Sequence, residues 1–372
     1  MSIEMISAIS RGKDELLALE SCELAVPGPG EVLVQIDACG ICHTDVAVIR
    51  QHIPLPFPRV LGHEGAGKVK ACGEGVEDLQ QGDHVLLSFG FCGECEQCKC
   101  REPAYCSSFR EINFGGQRAS GDAISQGGKP IGGNFFRQSA FATFALAQRS
   151  NVVKIDRDLP LDVLAPLGCG VQTGVGAVLN VIKPTAGSSF AVFGSGSVGL
   201  SAVMGAKIAG CDVICAVDMA DNRLALAKEL GATHVFRGDA PGLTESIREA
   251  TGGGVNSALD TTGVPAVVTT ATQSLRKLGI LAHVAAPAAG TEYSVDSRLF
   301  VGAGLSWRGI VEGDSDPQDF IPQLIEYYRN GQLPLEKLIT HYPFASINQA
   351  IKDMEDGLIV KPVLRMGKNS NA

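Results

Sequence analysis

The sequence has no excess of basic charge. Its 31 Lys and Arg residues are outnumbered by 40 Asp and Glu, for a formal net charge of -9 at pH 7. A chain so balanced lacks the clustered cations that nucleic-acid phosphates or an anionic membrane surface require. It also lacks an apolar core of signal-peptide length, because the first twenty residues, MSIEMISAISRGKDELLALE, are interrupted by Glu4, Arg11, Lys13 and Asp14. The long uncharged run from Val163 to Ile182 is broken by Pro166, Gln172, Asn180 and several glycines, which makes it a poor membrane span. Internal repeats are absent, and the one stretch of low complexity, FGGQRASGDAISQGGKPIGGN, reads as a long loop over a site rather than a linker. These absences lead to the expectation of a cytoplasmic protein with neither a nucleic-acid nor a membrane partner.

What is present is enough to build a large core. With 372 residues, 45% of them hydrophobic and 19% charged, the chain suggests two domains, one interrupted by the other. Up to about residue 170 short β-type runs such as EVLVQIDA and GDHVLLSF alternate with loops rich in Gly, Pro and Cys, which reads as a β-rich domain. From Ser188 apolar runs alternate with helical patterns (SFAVFG, SVGLSAVMGAKIAG, DVICAVD, DNRLALAKELG), the punctuation of a doubly wound parallel α/β sheet. After about Gly313 helical stretches lead to a last apolar run, VKPVLRM, which is expected to return to the first domain.

VFGSGSVG carries Gly194, Gly196 and Gly199 in G-x-G-x-x-G spacing, between an apolar strand and a helical pattern. The first glycine allows a tight turn, the second a close approach of backbone to a pyrophosphate, and the third close packing of helix on strand. Asp218 ends the next apolar run, where a carboxylate accepts the ribose hydroxyls of NAD and repels the 2′-phosphate of NADP. Arg223 is the one nearby candidate for recruiting that phosphate, and the carboxylate is expected to prevail. NAD is the expected cofactor.

FCGECEQCKCREPAYC packs Cys92, Cys95, Cys98 and Cys106 into C-x2-C-x2-C-x7-C, with Cys100 outside the repeat. Four thiolates so close can surround one zinc ion and leave it no open position. An iron-sulfur cluster is the rival on ligand type, and a thioredoxin-like centre is disfavoured because no βαβ motif hosts it. Twelve cysteines in a reducing compartment point to metal ligands or buried thiols rather than disulfides. A second set is dispersed: Cys42 in CGICHTD, His63 with Glu64 in LGHEGAG, and Cys169 in PLGCGVQTG. Each alone has a plain reading as a packing residue, and Cys39 with Cys42 also reads as a redox C-x-x-C. Together they would give zinc three ligands and an exchangeable fourth position.

The ordered series GICHTD, GHEGAG, GDHV, CGECEQCKCREPAYC, PLGCGVQTG and GSGSVG resembles the zinc-dependent medium-chain alcohol dehydrogenases, most closely the bacterial aryl (benzyl) alcohol dehydrogenases, over almost the whole chain. The resemblance implies a GroES-like catalytic domain over residues 1–170 and 312–372, a Rossmann domain over 171–311, and an active site in the cleft between them. It implies Cys42, His63 and Cys169 as catalytic zinc ligands, the Cys2His set of alcohol dehydrogenases, and Cys92, Cys95, Cys98 and Cys106 as structural ligands, two zinc ions per chain. Glu64 would stand next to the catalytic zinc, Asp45 would bond a ligand histidine, Thr44 would take the alcohol proton, and Thr173 would lie beside the nicotinamide. Lys361 in IVKPV matches a basic pyrophosphate contact. His43 stands where many relatives have Arg, and Ala47 where many have a relay His. Ser88, Ile53, Phe135 and Phe136 match substrate-pocket positions, with Ser88 in place of a bulky Phe. The implied reaction is reversible oxidation of primary aryl or allylic alcohols to aldehydes, by a dimer or tetramer. A glutathione-dependent formaldehyde dehydrogenase shares the layout. A zinc-ribbon binding module would account for Cys92 to Cys106 alone, and a catalytically silent homologue would have lost one of the three ligands, which are all here.

Overall fold

The computed structural model describes residues 2–116, 118, 121–285, 287 and 290–367. Contacts divide it into two compact units, one formed by residues 2–169, 316–326 and 338–367, the other by Gly170–Ser315 and Tyr327–Lys337.

The first unit is β-rich. Its larger sheet has the order Val152–Ile155, His84–Leu87, Glu64–Cys72, Glu31–Gly40, Lys361–Arg365, Ile339–Pro343, with Phe144–Gln148 also paired to Glu31–Gly40. Glu31–Gly40 is central, and Val32, Val34, Ile36 and Ala38 are fully or almost fully buried. β-branched residues suit a strand with neighbours on both edges. Gly40 lies opposite both Glu64 and Val363, so the segments leading to Cys42, from His63 and from Lys361 meet at one end of this sheet. A second, antiparallel sheet runs Arg59–Val60, Ser2–Ser10, Ala18–Ala25, Ile124–Gln126, Lys129–Ile131. The chain's last strand returns to this unit beside Glu31–Gly40.

The second unit is a six-stranded parallel sheet whose strands, numbered along the chain, stand in the order 3-2-1-4-5-6: His234–Arg237, Val213–Asp218, Ser189–Phe193, Val255–Asp260, Leu275–His283, Ser306–Gly309. This is the doubly wound Rossmann order, with the crevice for a ligand where strand direction of travel reverses, beside the first strand. Every residue of Ser189–Phe193 is buried, as a strand covered on both faces requires. Ala191, Phe193, Cys215, Val217, Ala258 and Leu281 share one core with Ile247 and Val268 of the crossover helices. The edge strand His234–Arg237 carries no fully buried residue, and for that reason it has no apolar run to betray it in the sequence.

The glycine motif is resolved into three separate constraints. Gly194 holds φ at +92° in the turn after the first strand, a left-handed conformation that favours glycine. A Cβ on Gly199 would lie 1.8 Å from the Gly194 carbonyl oxygen, so only glycine lets the helix Ser197–Ile208 sit this close. A Cβ on Gly196 would meet nothing within 4 Å. Gly199→Ala is therefore expected to lower stability by about 1–3 kcal/mol or more through overpacking, while Gly196→Ala stays within about 1 kcal/mol. Urea unfolding of the two variants checks this, and equal losses would contradict it.

Candidate active site and metal centres

The helix His43–Ile49 begins at Cys42, and its third residue, Asp45, is fully buried. The Asp45 carboxylate gathers three donors from two segments. Its Oδ2 accepts from the Cys42 amide at 3.0 Å, and its Oδ1 accepts from the Gly62 amide at 3.0 Å and lies 3.0 Å from His63 Nδ1. That leaves His63 Nε2, which is buried and has no hydrogen-bond partner among the described residues. The ligand atoms of Cys42, His63 and Cys169 all lie within 4.8 Å of one another.

The electrostatics describe a cation site. Hydrogen bonding with Cys169 and the nearby His63 pull the Cys42 thiol well below its ordinary pKa, against the effect of burial. Burial opposes a proton on His63, yet Asp45 and Cys42 outweigh it and raise the imidazole pKa well above the usual value. A carboxylate-backed imidazole with its other nitrogen unpartnered, beside two sulfurs, fits a zinc ion with three protein ligands. Cys169 reaches the group because the run from Leu161 leaves helical geometry there, at φ −148° and ψ −77°.

The neighbours of this group are closely fixed. Lys361, expected at a pyrophosphate, is 2% exposed; its Nζ donates to both Glu64 oxygens at 2.9 Å and to the Ile41 carbonyl at 3.1 Å. Burial opposes its charge, but Glu64 and then Cys42 hold the ammonium protonated. Glu64 itself is seated over Gly40, where a Cβ would lie 1.9 Å from its Oε2. Phe136 stacks on the His63 ring at 4.5 Å and Phe135 meets it edge-on at 5.5 Å. Phe136 does so at φ +50°, a strained conformation for a bulky residue, in a loop tied down by Ser139, whose Oγ accepts from the Phe135 amide and donates to the Val60 carbonyl. Ser88 is fully buried and donates to the Gly168 carbonyl at 2.7 Å, while Ile53 is half-buried. Thr44 Oγ1 stands 3.7 Å from Cys42 Sγ; His43 is exposed and Ala47 half-buried.

Gln138 was not foreseen. Its Nε2 donates to the carbonyls of His63 and Ser88 at 2.9 and 3.1 Å, and its Oε1 accepts from the Gly65 amide at 3.0 Å. A glutamine in an irregular loop carries no spacing signal that would have found it.

Cys92, Cys95, Cys98 and Cys106 form the second group, again with all sulfurs within 4.8 Å. Backbone amides of Glu94 and Cys95 donate to Cys92 Sγ, and that of Ser107 to Cys95 Sγ. Such amides draw the Cys95 thiol down to about 6, whereas burial pushes Cys98 up to about 12. Four sulfurs this crowded cannot all ionise without a cation among them. Cys92 and Cys98 sulfurs are 3.8 Å apart, the edge of a tetrahedron with metal-sulfur bonds of about 2.3 Å. That spacing fits one ion better than a multi-iron cluster. Cys100 is exposed and outside the group.

In the second unit Asp218 meets the glycine turn. Its Oδ2 accepts from the Ser195 amide at 2.6 Å and its Oδ1 from the Ala220 amide at 2.9 Å. Thr261, also unforeseen, donates from Oγ1 to the Phe193 and Gly194 carbonyls at 3.0 and 3.1 Å and so braces the turn from the fourth strand. The open space over Gly196 and the buried Ser197 hydroxyl, unpartnered among the described residues, fit a phosphate-bearing group at the N-terminus of Ser197–Ile208. Arg223 is half-buried one turn into the next helix, with Nε likewise unpartnered. Thr173 is nearly buried, its Oγ1 3.4 Å from Glu312.

Residues 28–157 match the family described as alcohol dehydrogenase GroES-like domain, and residues 197–328 the one described as zinc-binding dehydrogenase. The geraniol dehydrogenase of Castellaniella defragrans is 43% identical over 361 residues, 96% of each chain. Among solved structures, a benzyl alcohol dehydrogenase from Acinetobacter calcoaceticus superposes with a TM-score of 0.95 at 43% identity, covering 98% of this chain and 100% of its own. An alcohol dehydrogenase zinc-binding domain protein from Burkholderia ambifaria gives 0.97 at 45% identity, covering 99% and 100%. Identity sustained along both units, with both cysteine-bearing ligand groups assembled, means that the chain belongs to the zinc-dependent medium-chain alcohol dehydrogenases.

Proposed function

We propose that the enzyme oxidises primary aryl or allylic alcohols to aldehydes, reversibly, with NAD and two zinc ions per chain. The observation that carries this reading is the unpartnered His63 Nε2 beside the Cys42 and Cys169 sulfurs. The substrate class is supported by the likeness to a geraniol and a benzyl alcohol dehydrogenase, and by the apolar rings of Phe135 and Phe136 against His63. Twelve cysteines, six of them in the two sulfur groups, suit work in the cytoplasm. By family likeness the working form is a dimer or tetramer.

When bound, zinc supplies Lewis acidity toward the substrate oxygen and NAD accepts the hydride. The chain's own contribution is positional. Asp45 holds the Nδ1 proton of His63 and so presents the Nε2 lone pair to the metal. Phe135 and Phe136 keep water from the histidine ring. Thr44 Oγ1, beside Cys42, is the hydroxyl placed to receive the alcohol proton. With Ala47 in the relay position, the chain supplies no imidazole there to take that proton on. Glu64 is the carboxylate available for ligand exchange, and Lys361 restrains it. Cys92, Cys95, Cys98 and Cys106 fill all four positions of the second ion, which acts as a clip. Asp218 would accept from the ribose hydroxyls of NAD and repel a 2′-phosphate, and Thr173 would stand beside the nicotinamide. The amides after Gly194, at the N-terminus of Ser197–Ile208, would hold the pyrophosphate, and His43 and Lys361 are the basic side chains proposed for the same role.

The purified protein is expected to hold two zinc ions per chain by elemental analysis. Cys95→Ser should release one ion and lower the melting temperature. Cys169→Ser should abolish turnover with circular dichroism unchanged. Iron, or a single zinc, would contradict the assignment.

Asp218→Gly should raise the ratio of NADP to NAD use, measured as kcat/KM for each cofactor at one alcohol concentration. A native enzyme already preferring NADP would overturn the role of this carboxylate.

Benzyl, cinnamyl or allylic terpenoid alcohols should exceed ethanol in kcat/KM by about one to two powers of ten, the worth of one buried apolar group in the transition state. Ser88→Phe should penalise the ring substrates most. A native preference for ethanol, or equal loss on both substrates, would remove the pocket reading and leave the dehydrogenase assignment standing.

A further inference from the structure

Three consecutive residues of the second unit, Glu312, Gly313 and Asp314, hold left-handed backbone, at φ +49°, +68° and +47°. For L residues this conformation is costly and is ordinarily met one residue at a time. Strained backbone persists only where its surroundings force it, and it gathers at ligand sites. Here the forcing contacts are specific. Ser315 Oγ donates to the Glu312 carbonyl at 2.6 Å, Asn180 Nδ2 donates to the Gly313 carbonyl at 3.0 Å, and Arg308 pairs with Asp314 at 2.7 Å. The turn is also pressed onto the helix Gly170–Gly176. A Cβ on Gly313 would lie 2.4 Å from the Gln172 carbonyl oxygen, and one on Gly176 would lie 2.5 Å from the Gly313 carbonyl oxygen.

This packing brings the Glu312 carboxylate onto the helix. Its Oε2 accepts from Thr173 Oγ1 at 3.4 Å and from Gln172 Nε2 at 3.5 Å. Both contacts are long, as in sites that tighten only around a ligand. Two observations place the group. Glu312 lies in the turn that follows the sixth strand, Ser306–Gly309. Ligands of a doubly wound sheet bind outside the carboxyl ends of its strands, one nucleotide to each half. Asp218 belongs to the half made of strands 3, 2 and 1, so the nicotinamide nucleotide falls to the half that ends in this turn. The other observation is that a Cβ on Gly174 would lie 2.2 Å from the Val198 carbonyl oxygen. Thr173 is therefore on a helix set directly against the first turn of Ser197–Ile208, the end that suits a pyrophosphate.

We propose that Glu312 is a positioning residue for the cofactor: it takes the Thr173 hydroxyl proton and so fixes that oxygen as an acceptor for the carboxamide amino group of the nicotinamide. An ionised carboxylate can only accept, and a threonine hydroxyl has a single proton to give. Once that proton is committed to Glu312, only lone pairs are left on Thr173 Oγ1. The carboxamide offers a donor on one side and an acceptor on the other, and a lone-pair surface selects the donor side. The inference rests on the reading that Thr173 stands beside the nicotinamide.

Binding of NAD and of 3-acetylpyridine adenine dinucleotide, in which a methyl group replaces that amino group, is measured by titration calorimetry on the zinc-loaded enzyme without alcohol. The native enzyme should bind NAD roughly threefold to tenfold more tightly than the analogue, the worth of one hydrogen bond. Thr173→Val and Glu312→Ala should bring the ratio close to one. Glu312→Asp keeps the charge and tolerates positive φ, but its carboxylate falls a methylene short, so it should lose the ratio too; a residue needed only for the turn would keep it. Glu312→Gln, whose amide oxygen still accepts the Thr173 proton, should retain the preference. A native ratio near one, a native-like ratio in Thr173→Val or in either shortened Glu312 variant, or a loss in Glu312→Gln equal to that in Glu312→Ala would each overturn the proposal. An enzyme that bound neither dinucleotide would overturn the NAD reading, and this inference with it.

Discussion

The metal group of the first unit depends on one buried carboxylate. Asp45 binds the Cys42 amide, the Gly62 amide and His63 Nδ1 at once, and so locks together two chain segments that approach from different strands. Hydrogen bonds to a charged acceptor are worth about 1.5–3 kcal/mol each, and a buried carboxylate without them would be untenable. The same contacts decide the histidine tautomer. With Nδ1 engaged, Nε2 is the nitrogen left for a metal, and the aromatic rings of Phe135 and Phe136 keep it dry. Everything chemical in the unit follows from that orientation.

A second buried pair lies beside the first. Glu64 and Lys361 face each other between the ends of two adjacent strand pairings, with a glycine at position 40 giving the carboxylate its space. A carboxylate held by an ammonium close to a metal group is restrained without being removed from service. The pair thus ties the C-terminal strand to the chemistry of the site, and removal of either partner would strand a buried charge at a penalty of about 3–5 kcal/mol.

The two sulfur groups show how ligand count separates structure from catalysis. Cys92, Cys95, Cys98 and Cys106 lie within one loop and can saturate a tetrahedral ion. Cys42, His63 and Cys169 come from three distant segments and leave a position open. Local ligands close a loop on itself, whereas distant ligands require a fold already formed.

What the sequence determined by itself is what a few consecutive residues can impose. The spacing of Gly194, Gly196 and Gly199, the four-cysteine repeat, and the alternation of apolar runs with helical patterns set local backbone geometry, and each is legible in the sequence itself. The sequence also named Cys42, His63 and Cys169 as a set, through likeness to a family rather than through spacing. Tertiary structure alone decided the partners of buried groups. Lys361 binds Glu64 across 297 residues of chain, Gln138 clamps His63 and Ser88, and Thr261 braces the glycine turn. The physical reason is the same in each case. A backbone motif is fixed by torsion angles over a few residues, but a buried polar atom bonds to whatever the strand register brings within about 3 Å, and register is a property of the whole sheet.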